Sequence, residues 1–141
     1  SMRTSAESRV AATRARGIDV EVVDAVGEAL PIPDDSIDSV LLAYVLCTVE
    51  DVDAALAEVR RVLRPGGVVC VMEHVRAPEG TWLRRSQRLV APVWPRMAGG
   101  CHADRDTRAA LARAGFDVAG LRDITITSLP PVAPTLVGTA R

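Results

Sequence analysis

With 141 residues, the chain is long enough to bury one modest hydrophobic core and too short for two. A hydrophobic share of 48% beside 25% charged residues marks a globular domain and excludes a disordered tail. The net charge of −1 excludes any global attraction to nucleic acid. Cys47, Cys70 and Cys101 form no C-x-x-C pair, and their odd number without a signal peptide points to reduced thiols in a cytoplasmic protein. His74 and His102 do not complete a zinc-ligand spacing, so no metal site is expected. No apolar run approaches the roughly 20 residues that cross a bilayer. Ser1 before Met2 reads as a cloning scar, leaving 2–141 as a single domain.

Met2 to Arg16, rich in Ala and Arg and closed by Gly17, predicts a helix. Ile18 to Val23 alternates and is β-branched, which predicts a strand. Pro31, Pro33 and Asp34-Asp35 mark a loop. Ile37 to Leu46 is nearly continuously apolar, as in a parallel strand buried on both faces. From Asp51 to Leu63, Val52, Leu56, Val59 and Leu63 fall on one helical stripe. Acidic Glu50, Asp51 and Asp53 at its start and Arg60, Arg61 and Arg64 at its end complement the helix dipole. Pro65-Gly66-Gly67 stops it, and Val68 to Glu73 predicts a second buried strand.

Trp82 to about Met97 predicts a helix broken by Pro92 and Pro95. Asp104 to Ala114 predicts a short helix closed by Gly115. Phe116 to Ile126 and Ala133 to Ala140 predict the last two strands, joined across Pro130-Pro131. The alternation of strands and helices defines an α/β fold with a mostly parallel sheet of about five strands.

Several segments resemble class I S-adenosylmethionine-dependent methyltransferases of the broad group that includes the ubiquinone/menaquinone enzymes. They are Glu28-Ala29-Leu30-Pro31, Pro33 to Asp38, Leu63-Arg64-Pro65-Gly66-Gly67 and Arg113-Ala114-Gly115-Phe116. A narrower resemblance, to thiol S-methyltransferases, rests on Val45 to Val49, Glu73-His74-Val75, Thr81-Trp82, Trp94, Gly100-Cys101 and Arg105-Asp106-Thr107. The resemblance implies an incomplete Rossmann-like fold. It lacks the first two strands of the family's order 3-2-1-4-5-7-6 and the Gly-rich loop that wraps the cofactor. No G-x-G-x-G stretch occurs in the sequence.

Ligands of open α/β sheets bind beyond the carboxyl ends of the strands. The resemblance carries contact with S-adenosylmethionine to Gly27, Glu28, Ala43 and Tyr44, although many relatives have Asp-Ala where this chain has Val26-Gly27. The plain alternative is that these four residues only end strands. Glu73 and His74 are the candidates for orienting or deprotonating the acceptor, a small molecule with a leaning toward thiols; a histidine at a sheet edge is the alternative for His74. Cys47 and Cys101 read as small buried apolar residues rather than nucleophiles. Arg105 and Asp106 fit either an acceptor contact or a helix cap with a salt bridge. The basic, amphipathic Trp82 to Val90 fits a peripheral membrane contact or a lid over a lipophilic substrate; a solvated face on a packing helix is the weightier alternative.

Losing a ribose-binding carboxylate removes two hydrogen bonds to a charged group, each worth about 1.5–3 kcal/mol. That is about a hundredfold or more in affinity, so weak or absent cofactor binding is expected of this chain. The strand at Ile37 to Leu46 should also have an exposed edge, to be covered by the strand at Ile18 to Val23 or by a second copy in a homodimer. A non-catalytic, dimerising module of the same fold is the alternative to an enzyme.

Overall fold

The structure, a computed structural model, describes residues 9–126 and 129–141. Of the N-terminal helix, residues 9–14 are helical and the chain turns through Gly17; Ser1 and residues 2–8 lie outside the described residues. The main elements are β1 (Ile37–Ala43), α1 (Val52–Val62), β2 (Leu63–His74), α2 (Trp82–Val90), α3 (Trp94–Met97), α4 (Thr107–Arg113), β3 (Leu121–Thr125) and β4 (Pro134–Ala140). They form one sheet in the order β1-β2-β4-β3. β1 and β2 are parallel, with Leu42 opposite Val71, and β4 runs antiparallel between β2 and β3.

Four strands form where five are expected. Residues 18–25 are neither helix nor strand, and Ile18, Val22 and Val23 are about half exposed. β-Branched alternation favours an extended backbone, but a strand also needs a neighbour for its N–H and C=O groups, and among the described residues none pairs with this segment. It therefore does not cover β1, which remains an edge of the sheet among the described residues.

The expected burial of β1 on both faces also fails. Leu42 is buried, whereas Leu41 on the opposite face is 69% exposed. The buried side is covered by α1, whose Leu56, Val59 and Ala55 pack with Val69 and Val71 of β2, Leu111 of α4, Phe116 and Leu136 of β4. Asp51 starts α1 as its N-cap, accepting a hydrogen bond from Ala54 N at 2.9 Å. Pro92 interrupts the next helical run, so α2 ends at Val90 and α3 is a single turn. β4 crosses close to the turn before β3. Gly138 has φ 135°, and a Cβ there would collide with the Gly120 carbonyl oxygen, so only glycine fits.

The polar anchor of the second half is Gln87. It is 1% exposed and is the buried residue of α2. Its Nε2 donates to the carbonyls of Val75 (3.0 Å), Ala103 (2.8 Å) and Pro131 (3.1 Å), and its Oε1 accepts from Ala77 N (2.8 Å). One amide thus joins the loop after β2, the loop before α4 and the turn before β4. Burial of unpaired carbonyls costs about 1–3 kcal/mol each. Gln87→Leu is expected to lower stability by about 3 kcal/mol or more, read from the midpoint of urea unfolding; a shift under about 1 kcal/mol would remove this anchor role.

Candidate functional site

β1 ends at Ala43, and the next residue reverses the chain. Tyr44 has φ 57°, an uncommon conformation for a residue with a side chain, and its N–H bonds to the Met72 carbonyl at 2.8 Å. The turn lays residues 45–47 over the end of β2. There the Glu73 side chain, completely buried, accepts three backbone hydrogen bonds. Val45 N and Leu46 N bind Oε1 at 2.6 and 2.9 Å, and Cys47 N binds Oε2 at 3.1 Å. Three successive N–H groups make an anion-binding nest, and the protein's own carboxylate fills it. From the other side, Arg105 Nη1 donates to Leu46 O at 2.5 Å.

Glu73 therefore touches the loop and not an open cleft. His74, on the opposite face of β2, stacks beneath the Tyr44 ring with centroids 4.4 Å apart. Its Nδ1 lies 3.9 Å from Cys47 Sγ and 3.5 Å from Cys101 Sγ. Ala103, Trp94, Ala98 and Val132 close around the two sulfurs as a small second core. Cys101 is held down to about 6, foremost by a hydrogen bond with the Cys47 thiol and further by His74 and Trp94, against the opposing effect of burial. The Cys47 thiol is pushed far up by the same Cys101 contact, by burial and by the Glu73 charge.

The first pair of cofactor candidates lies on a separate turn. Val26 and Ala29 form a bridge, with Gly27 and Glu28 between them. Gly27 packs so closely on Val49 that a Cβ would come within 3.2 Å of its Cγ1. Glu28 Oε1 accepts from Asp51 N at 3.2 Å, at the start of α1. The two candidate loops thus meet through residues 49–51. The segment that follows is tied to α1 by Glu58 and Arg61. Glu58 accepts from Leu30 N at 2.8 Å and pairs with Arg61, which also holds the carbonyls of Leu30 and Ile32 and the Asp34 carboxylate.

Of the residues singled out from sequence, Tyr44 and His74 come together, Glu73 organises the backbone beside them, and Gly27 and Glu28 form the neighbouring turn. Asp106 is the N-cap of α4, accepting from Ala109 N, and pairs with Arg76 at 2.7 Å. The cap and salt bridge therefore describe it. The association of Cys47 and Cys101 with His74 was not legible, because two loop residues and the last residue of a strand share no spacing rule.

A Rossmann-like α/β sheet with loops gathered at the carboxyl ends of its parallel strands is the architecture of class I methyltransferases. Residues 1–71 match the methyltransferase domain family, and the chain belongs to it, within the S-adenosylmethionine-dependent class. It is 39% identical over 108 residues to human thiol S-methyltransferase TMT1B, covering 76% of this chain and 44% of that protein. It is 38% identical over 104 residues to the ubiquinone/menaquinone biosynthesis C-methyltransferase UbiE of a Shewanella species, covering 72% and 41%. The chain thus spans less than half the length of these curated relatives. A putative methyltransferase from Bacillus halodurans superposes with a TM-score of 0.65 at 17% identity, over 92% of this chain and 73% of its own. The [4+2]-cyclase SpnF does so with 0.58 at 28% identity, over 79% and 38%.

Glu58 is held down to about 2, first by the Arg61 hydrogen bond and next by the Leu30 amide. A depressed carboxylate stabilises the fold above its unfolded value near 4.5, and this contribution is lost as pH falls toward 2. The protection factor of the Leu30 amide, its exchange relative to an unstructured chain at the same pH, should fall across that window. Glu58→Gln should expose the same amide already at neutral pH. A Leu30 protection factor that is flat between pH 4.5 and 2 would contradict this tie.

Proposed function

We propose that this chain supplies the acceptor side of the active site of an S-adenosylmethionine-dependent methyltransferase for small molecules, with thiols as the favoured class. The observation that carries the reading is the loop at Tyr44 to Cys47, held by Glu73 over the carboxyl end of β2, where sheets of this type bind ligands. The identity with thiol S-methyltransferases supports the acceptor class. Gly27, Glu28, Ala43 and Tyr44 would line the cofactor. His74, against the Tyr44 ring, would orient the acceptor. Glu73 acts through the loop and is a positioning residue.

S-adenosylmethionine supplies an electrophilic methyl group on a sulfonium. The protein's task is to align the acceptor in line with it and exclude water. A thiol, already partly ionised near neutral pH, asks little of a base. His74→Ala should therefore lower kcat/KM for a small thiol only about tenfold to a hundredfold in a full-length enzyme carrying this segment. Glu73→Gln replaces an acceptor oxygen with an amide that faces backbone N–H groups. It should lower activity together with stability, by about 2 kcal/mol or more in urea unfolding. An unchanged rate in His74→Ala would remove the histidine from the mechanism.

By itself the chain should bind S-adenosylmethionine weakly or not at all, because it has no Gly-rich loop to hold the methionine end. Calorimetric titration tests this: micromolar affinity for the isolated chain would overturn it. A second reading, a dimerising module without catalysis, draws support from the uncovered edge of β1 and its exposed Leu41. It requires a dimer in light scattering, and a monomer at all concentrations would exclude it.

A further inference from the structure

The geometry points to a soft-metal site, one Zn²⁺ held by Cys47 Sγ, His74 Nδ1 and Cys101 Sγ with a fourth position left open. The three ligand atoms lie within 4.8 Å of one another. Zinc bonds of about 2.3 Å to sulfur and about 2.0–2.1 Å to nitrogen, at tetrahedral angles, place sulfur and nitrogen about 3.5 Å apart. The two sulfur–nitrogen distances here are 3.5 and 3.9 Å, close to that separation.

Each ligand is also held in place by its surroundings. Cys47 is fixed through its backbone, with its N–H on Glu73 and its carbonyl accepting from His102 N at 2.6 Å. His74 ends β2 and is restrained by the Tyr44 ring. Cys101 follows a turn in which Gly100 N bonds to Pro95 O at 2.8 Å and Cys101 N to Ala98 O at 3.1 Å. Second-shell order of this kind is what sustains affinity at metal sites.

The donor set selects the ion. Two thiolates and a neutral imidazole suit Zn²⁺ and disfavour Mg²⁺ or Ca²⁺, which require oxygen ligands. The nearby carboxylate, Glu73, already uses both oxygens on backbone amides. Two thiolates neutralise the dication, so the site adds no net charge to a half-buried pocket. Three protein ligands with one vacancy are the pattern of reactive rather than purely structural zinc, and the vacancy would accept water or a thiolate.

Co²⁺ titration of the reduced full chain tests the site. One equivalent should give an intense thiolate-to-cobalt band in the near ultraviolet with tetrahedral visible bands, both displaced by one equivalent of Zn²⁺. Cys47→Ser and Cys101→Ser should each weaken binding more than about tenfold. Cys70→Ser should leave the bands unchanged, since Cys70 is not in the cluster. X-ray absorption of the unmutated zinc-loaded chain should find two sulfurs and at least one imidazole, independently of how the variants fold. Absence of the bands in the folded, reduced chain, or an absorption fit with only oxygen and nitrogen ligands, would overturn the proposal.

Discussion

The candidate site depends on one interaction, the Glu73 carboxylate accepting the amides of Val45, Leu46 and Cys47. A chain leaving a parallel strand must satisfy backbone groups that the ladder no longer serves. Here a residue of the adjacent strand does so. The same contact sets the height of Tyr44 above His74 and the position of Cys47 beside it. A carboxylate without these partners would be a bare buried charge, and the amides without it would be orphaned donors. Charge and loop are therefore mutually dependent, and neither can change alone.

Around this point the molecule divides its polar work among three clamps. Gln87 holds the loops of the second half, Glu58 and Arg61 hold the segment at 30–34, and Glu73 with Arg105 holds the loop after β1. Each joins backbone segments that sheet and helix hydrogen bonds do not reach. Among the described residues the main hydrophobic core packs on the face that carries Leu42, and Leu41 on the other face is exposed.

Fold and chemistry remain separable. The same architecture occurs in a protein described as a [4+2]-cyclase and in proteins described as methyltransferases. Function is therefore read from the side chains of a site and not from the architecture. In this chain those side chains are aromatic, imidazole and thiol, with the nearest carboxylate committed to structure. Such a set is suited to soft, polarisable groups more than to strong base catalysis.

The sequence by itself determined the elements with strong local signals. The stripe through Val52, Leu56 and Val59 and the break at Pro92 depend on neighbours within a turn or two. The motif resemblance likewise identified the family and the strand ends that carry the loops. Residues 18–23 had the local preference for a strand without the pairing, and β1 had the apolar run without a cover for Leu41. Only the tertiary structure decided what Glu73 binds and that Cys47, His74 and Cys101 converge. Those relations join residues 26 to 54 positions apart through strand pairing and loop docking, and no local pattern of side chains encodes them.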